Sequence, residues 1–151
     1  MSMAKYLSLL SFIGLVIAAA LSGAQFTPGP WYEALSKPSW TPPNWLFPVA
    51  WTVLYLMIAI AGWLAWKAGG VGSAVAIWGI GLILNALWSY LMFGRHEIGL
   101  ALIDVVALWL ATAAFIWAAW ELEPMAAYLF MPYLAWVSFA AALNFEVWRL
   151  N

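Results

Sequence analysis

The chain has 151 residues, of which 68% are hydrophobic and 7% charged, whereas a soluble domain carries about 45–50% apolar and about 25% charged residues. A chain this short cannot bury such a surplus inside itself, so apolar surface faces lipid, which excludes a soluble enzyme. Five Lys and Arg against six Asp and Glu leave a net charge of −1, which argues against a nucleic-acid partner. The absence of Cys excludes disulfides, thiolate metal sites and Cys nucleophiles.

A membrane helix needs about 20 mostly apolar residues. In chain order, five such runs cover residues 6–25, 46–66, 73–93, 97–120 and 125–148. The connections after the second, third and fourth are short, and the last ends in Pro124, suited to a first helical position. Short connections force antiparallel neighbours, so residues 1–151 are read as one all-α integral membrane domain, a five-transmembrane-helix bundle. No run alternates with period two, which disfavours a β-barrel. The first run exceeds the about 7–15 residues of a signal-peptide core and is read as a retained helix, although residues 18–24 imitate a cleavage site. Lys37, Arg95 and Arg149 fall on one side and Lys5 and Lys67 on the other, too even a division to fix orientation.

Residues 26–45 contain five prolines and three tryptophans, Trp31, Trp40 and Trp45. Proline fixes φ and removes a donor, so the loop is stiff. Two uses fit: a lid over the bundle, or a belt of tryptophans at headgroup level. Within the runs, Asn85 and Asp104 are polar groups at membrane depth, where such groups turn inward and seek partners; an interhelical hydrogen bond is the plain reading for Asn85, and either such a bond or a neutral carboxyl for Asp104. Glu146 and Arg149 are three residues apart and expected to pair. Trp78, Gly81, Asn85, Trp88 and Met92 share one helical face, as do Trp136, Ala140, Leu143 and Val147. These stripes suit bundle packing or an aromatic pocket with a few polar groups. A small-residue ridge, Gly14, Ala18 and Ser22, fits either a homodimer seam or packing within one bundle. The sole His, His96, lies in a loop, so no metal-ligand cluster and no buried haem ligand is expected. Recognition of a flat or apolar ligand remains.

Trp31-Tyr32-x-x-Leu35-x-Lys37-Pro38-x-Trp40-x-Pro42-Pro43, followed by Phe47, Trp51 and Leu54-Tyr55, resembles the first loop and second helix of the translocator protein family, also called tryptophan-rich sensory protein or peripheral-type benzodiazepine receptor. Asn85-x-x-Trp88, Asp104, Pro132-Tyr133-x-x-Trp136, Leu143-Asn144 and Trp148-Arg149-x-Asn151 resemble motifs of its later helices. The resemblance implies a five-helix bundle, often dimeric, that binds porphyrins such as protoporphyrin IX and synthetic isoquinoline or benzodiazepine-like ligands. It further implies that Trp51 and Asn85 hydrogen-bond ligand, that Tyr32, Phe47, Trp88, Ala140 and Leu143 form pocket walls, and that Trp51 and Trp136 take part in light-dependent porphyrin breakdown. The expected function is a membrane receptor or sensor needing no cofactor, with porphyrin as ligand or, alternatively, as substrate of a degrading enzyme or cargo of a tetrapyrrole or sterol transporter. Phe145 stands where the family's sterol motif needs Tyr, which weakens the sterol expectation. The short N-terminus without a targeting peptide looks bacterial, so a bacterial cell membrane is expected.

Overall fold

The computed structural model describes residues 3–151. Six α-helices follow one another: α1 (Met3–Ala24), a single turn α2 (Pro30–Glu33), α3 (Leu46–Gly69), α4 (Ser73–Ser89), α5 (Ile98–Ala119) and α6 (Pro124–Leu150). Among the described residues there is no strand. Five helices are long and apolar enough to cross a membrane, with α4 and its π-helical extension Tyr90–Gly94 forming one span. The expected runs agree with these spans to within three residues at either end. The turn α2 was not anticipated; it forms because Pro30 presets φ at the first position and Gly29 precedes it in extended conformation.

Helix α5 packs on α6 and α4, α6 also packs on α3, and α1 lies against α3 and α4. The interfaces hold small residues that let backbones approach: Ala61, Ala65, Ala119, Ala126 and Ala127 are wholly buried. Large apolar side chains point the other way, among them Leu10, Leu21, Leu56, Ile83, Ile103 and Leu110. In water this surface would be a liability; in a bilayer it is the solvated face. Gly14 and Ala18 lie exposed on α1, and a Cβ at Gly14 would meet nothing within 4 Å, so this stretch of the small-residue ridge is not spent inside the bundle.

The half of the bundle remote from residues 26–45 is solid. Phe12 of α1 meets Trp78 of α4 edge-on at 5.0 Å, and the Trp78 indole donates to the Ile58 carbonyl at 2.9 Å. Gly62 makes room for that indole, since a Cβ there would lie 2.5 Å from Trp78 Cε2. At the same end the Trp63 indole donates to Ser8 Oγ at 3.0 Å, and Lys67 Nζ sits 3.8 Å over its ring.

The turn between α4 and α5 departs from a plain helix end. Arg95 N–H donates to the Tyr90 carbonyl at 2.8 Å, one residue wider than α-helical spacing, and Glu97 N–H to the Leu91 carbonyl at 2.9 Å, two residues wider. His96 then turns back with φ of 57°, in the left-handed region uncommon for a side-chain-bearing residue. The widened turn seats Met92 in the core at 2% exposure.

Gly62→Ala is expected to destabilise the protein by about 1–3 kcal/mol, the usual cost of overpacking, because Trp78 must leave both its slot and the Ile58 carbonyl. A lowered thermal midpoint in detergent checks this, with Gly79→Ala, whose Cβ would meet nothing within 4 Å, as the substitution that leaves the midpoint in place.

Candidate functional site

The opposite half of the bundle is hollow. A cavity of about 500 Å³ lies beneath residues 26–45, between the helix ends. Tyr32, Phe47, Trp51, Asn85, Trp88, Trp136, Ala140 and Leu143 all line it. The volume lies within the about 300–1,000 Å³ typical of small-molecule sites. Its walls are largely aromatic: Trp51 stacks on Tyr55 at 5.3 Å and 27°, and meets Trp136 edge-on at 6.1 Å and Tyr133 at 6.4 Å. Phe47 closes on Trp136 at 5.8 Å.

Two polar relays cross this region. The Tyr55 hydroxyl donates to Asn85 Oδ1 at 3.2 Å, and Asn85 Nδ2 donates to the Tyr133 hydroxyl at 2.7 Å, so one amide ties α3, α4 and α6 together. Each helix brings a polar group that would be costly in hydrocarbon alone. One N–H and one lone pair of the Asn85 amide remain beyond these two bonds. The second relay runs from the Trp88 indole to Asn144 Oδ1 at 2.9 Å, and from Asn144 Nδ2 to the Ile98 carbonyl at 3.1 Å. It joins α4, α6 and the start of α5.

The indole N–H groups of Trp63, Trp78, Trp88 and Trp109 are all taken up by protein acceptors. Trp136 Nε1 is sealed from solvent without a partner among the described residues. Trp51 lines the cavity between the Tyr55, Tyr133 and Trp136 rings. Of the two readings for Asp104 the interhelical bond is not formed: the residue is 5% exposed, and neither carboxyl oxygen has a partner among the described residues. Val105 and Ala101 beside it on α5 are buried as well, so Asp104 sits on the inward face of its helix.

The roof is fastened at several points. Lys37 Nζ donates to the carbonyls of Tyr32, Glu33 and Leu35 at 2.8–3.2 Å, closing the turn on itself. Ser36 is held through its backbone by one side chain: its N–H donates to Asn151 Oδ1 at 3.1 Å, and Asn151 Nδ2 donates to its carbonyl at 2.9 Å. Trp31 stacks flat on His96 at 4.0 Å and 6°, and Trp40 meets Phe139 edge-on at 5.6 Å. Burial, reinforced by the neighbouring Glu33 carboxylate, holds the Tyr32 phenol above the ordinary tyrosine value of 10.0, keeping it neutral under the roof. As expected, Arg149 pairs with Glu146, at 2.6 Å on the exposed side of α6.

Sequence reasoning singled out the wall residues but not Tyr55 and Tyr133 as the partners of Asn85, nor Asn144 as the acceptor for Trp88. The available signal was the inward stripe spacing; Tyr55 sits one turn after Trp51, and Tyr133 one turn before Val137. The Asn151 clamp had no local signal, because it joins positions 115 residues apart.

Asn151→Ala is expected to leave the helices intact and loosen the roof, since both backbone bonds to Ser36 disappear together. Limited proteolysis should then cut within residues 26–45 several-fold faster, with helical circular dichroism unchanged.

The TspO/MBR family model matches residues 12–149. The tryptophan-rich sensory protein of Cereibacter sphaeroides is 42% identical over 142 residues, covering 94% of this chain and 90% of that protein. Protein CrtK of Rhodobacter capsulatus is 41% identical over 140 residues, covering 88% and 86%. The human translocator protein is 37% identical over 150 residues, covering 92% and 89%. With five membrane-spanning helices and a family match over nearly its whole length, this chain is an integral membrane protein and belongs to the TspO/MBR family.

Proposed function

We propose that the protein is a membrane receptor or sensor, in a bacterial cell membrane, that binds a flat tetrapyrrole such as protoporphyrin IX in the cavity beneath residues 26–45. The same walls would take isoquinoline and benzodiazepine-type ligands. The observation that carries the reading is the gathering of aromatic side chains, among them Tyr32, Phe47, Trp51 and Trp136, around one cavity whose lining also includes the Asn85 amide. Aromatic walls recognise a flat apolar body by area and stacking. A few fixed polar groups then set its orientation. In this reading Trp51 offers its indole N–H, Asn85 offers its remaining amide hydrogen, and Trp88, Ala140 and Leu143 shape the wall.

A second reading, light-dependent porphyrin breakdown, is favoured by one observation. Trp51, Tyr55, Tyr133 and Trp136 form an unbroken set of ring contacts between 5.3 and 6.4 Å. Oxidisable rings in contact beside a photoexcited ligand are suited to electron donation. Trp51 and Trp136 are the candidate catalytic residues here.

Tryptophan-fluorescence quenching by protoporphyrin IX, run beside absorbance spectra under illumination, tests both readings. Trp51→Phe removes a donor while keeping most of the apolar area, so binding should weaken by about 0.5–1.5 kcal/mol, the net worth of one neutral hydrogen bond. Trp136→Phe loses an N–H that is sealed from the cavity, so affinity should stay near that of the parent and breakdown should slow. A parent that does not bind protoporphyrin IX ends the receptor reading; a parent that binds it but leaves its spectrum unchanged in light ends the enzyme reading.

A further inference from the structure

The cavity is not evenly walled. Its lining residues on α4, the π-turn, α5 and α6 are all buried or half-buried. Every exposed lining residue belongs to the end of α1, the two ends of the connecting segment, or the first two turns of α3: Ala24, Thr27, Pro28, Asn44, Pro48 and Thr52. The opening therefore faces sideways, between α1 and α3.

The contacts of α1 explain why. Near its start it is sewn to the end of α3, through Ser8 to Trp63 and through Phe12 to Trp66 at 6.3 Å. Near its end it leans on the other neighbour. A Cβ at Gly23 would lie 3.4 Å from Ser89 Oγ of α4, and Phe26 packs on Tyr90 at 5.3 Å. The two helices thus part toward the roof like the arms of a V, closed below by Phe12 and open above. The rim of the V carries short side chains, Ala20 and Ala24 on one arm and Thr52 on the other. Thr52 turns its hydroxyl back to the Pro48 carbonyl at 2.7 Å, so it offers lipid a methyl group. At 1.5 Å rise per residue, Thr52 lies about 9 Å below the start of α3, within the acyl edge of the leaflet rather than in water.

We propose that the seam between α1 and α3 is a lateral portal through which a flat, membrane-dissolved ligand passes between the bilayer and the cavity without crossing the roof. This rests on the reading of the cavity as a porphyrin site. The roof is pinned to the α6 side by Asn151, Trp40 and Phe139 and to the π-turn by Trp31 and His96. No described contact of that strength ties it across the V. An apolar ligand already concentrated in the leaflet meets at Ala20, Ala24 and Thr52 a low rim of methyl groups. The occupant of the seam is the cavity's own ligand, because seam and cavity are one continuous space.

The experiment is stopped-flow quenching of tryptophan fluorescence by protoporphyrin IX, with the protein in nanodiscs and the porphyrin delivered from vesicles. Thr52→Phe and Ala24→Phe raise the rim. Both are expected to slow association and dissociation together by about tenfold, with Kd moving far less, the signature of a barrier on the path rather than a contact in the site. Thr52→Ala lowers the rim and should speed both rates, a result that stands even where a bulky variant folds poorly. Asn151→Ala, which frees the roof, should leave both rates near those of the parent. Unaltered rates in all three rim variants overturn the portal, as does a loss of affinity carried by dissociation alone. Acceleration by Asn151→Ala moves the path to the roof and also overturns it. Failure of the parent to quench at any concentration is a different result, removing the porphyrin reading and the portal with it.

Discussion

Water is absent from the middle of a bilayer, so a polar side chain placed there is costly unless it finds a partner within the protein. The rest of this structure is arranged around that constraint. Asn85 satisfies it for three helices at once, accepting from Tyr55 on α3 and donating to Tyr133 on α6. Side-chain area could hold these helices together without the amide, but it would not fix their rotation. The amide does, because each bond demands a particular face of its helix. Trp51 then points into the cavity because Tyr55, one turn later, is committed to Asn85. Trp136 is set in the same way by Tyr133. The cavity walls are thus oriented from the polar centre outward.

Apolar packing does the complementary work. Lipid tails are as apolar as leucine, so burying leucine against leucine gains little in a membrane, and close approach of backbones matters more. The alanines sealed between the helices and the Gly62 slot for Trp78 supply that approach in one half of the bundle. In the other half, aromatic rings stand the helices apart. The same short chain therefore makes a solid base and a hollow top, with large side chains meeting small ones below and meeting one another above.

Much of this could be read from the sequence. Helix number and span followed from composition and run length, because lipid leaves the backbone little choice. The inward stripes of α4 and α6 followed from spacing: Trp78, Gly81, Asn85 and Met92 are buried, as are Leu143 and Val147. The eight candidate residues were recognised through a resemblance in motifs, and geometry brings them to one cavity. What stayed hidden depends on tertiary placement. A π-turn needs Tyr90 and Arg95 to bond across one extra residue, which no local pattern announces. The turn α2 hangs on Pro30 but is held by Lys37, whose three carbonyl bonds are visible only once the loop is folded. Asp104 looked like one half of a hydrogen bond, yet neither carboxyl oxygen has a partner among the described residues.

The fastening of residues 26–45 gives the hollow half its direction. A proline-rich segment loses little entropy when it is fixed, so a modest set of contacts suffices to hold it. Those contacts are not distributed evenly. Asn151, Phe139 and His96 draw the segment toward α6 and the π-turn, while α1, joined to it directly through Phe26, turns toward Tyr90 and Ser89 of α4. Helix α3 is left with a free flank at its first two turns. A chain that must lead from α1 to α3 over the top of the bundle is pulled aside at both attachments, and the gap appears between the two helices it connects. Closing that gap by packing α1 on α3 throughout would take Gly23 away from Ser89 and Phe26 away from Tyr90. The opening is therefore built into the way the segment is anchored and does not depend on motion of the roof.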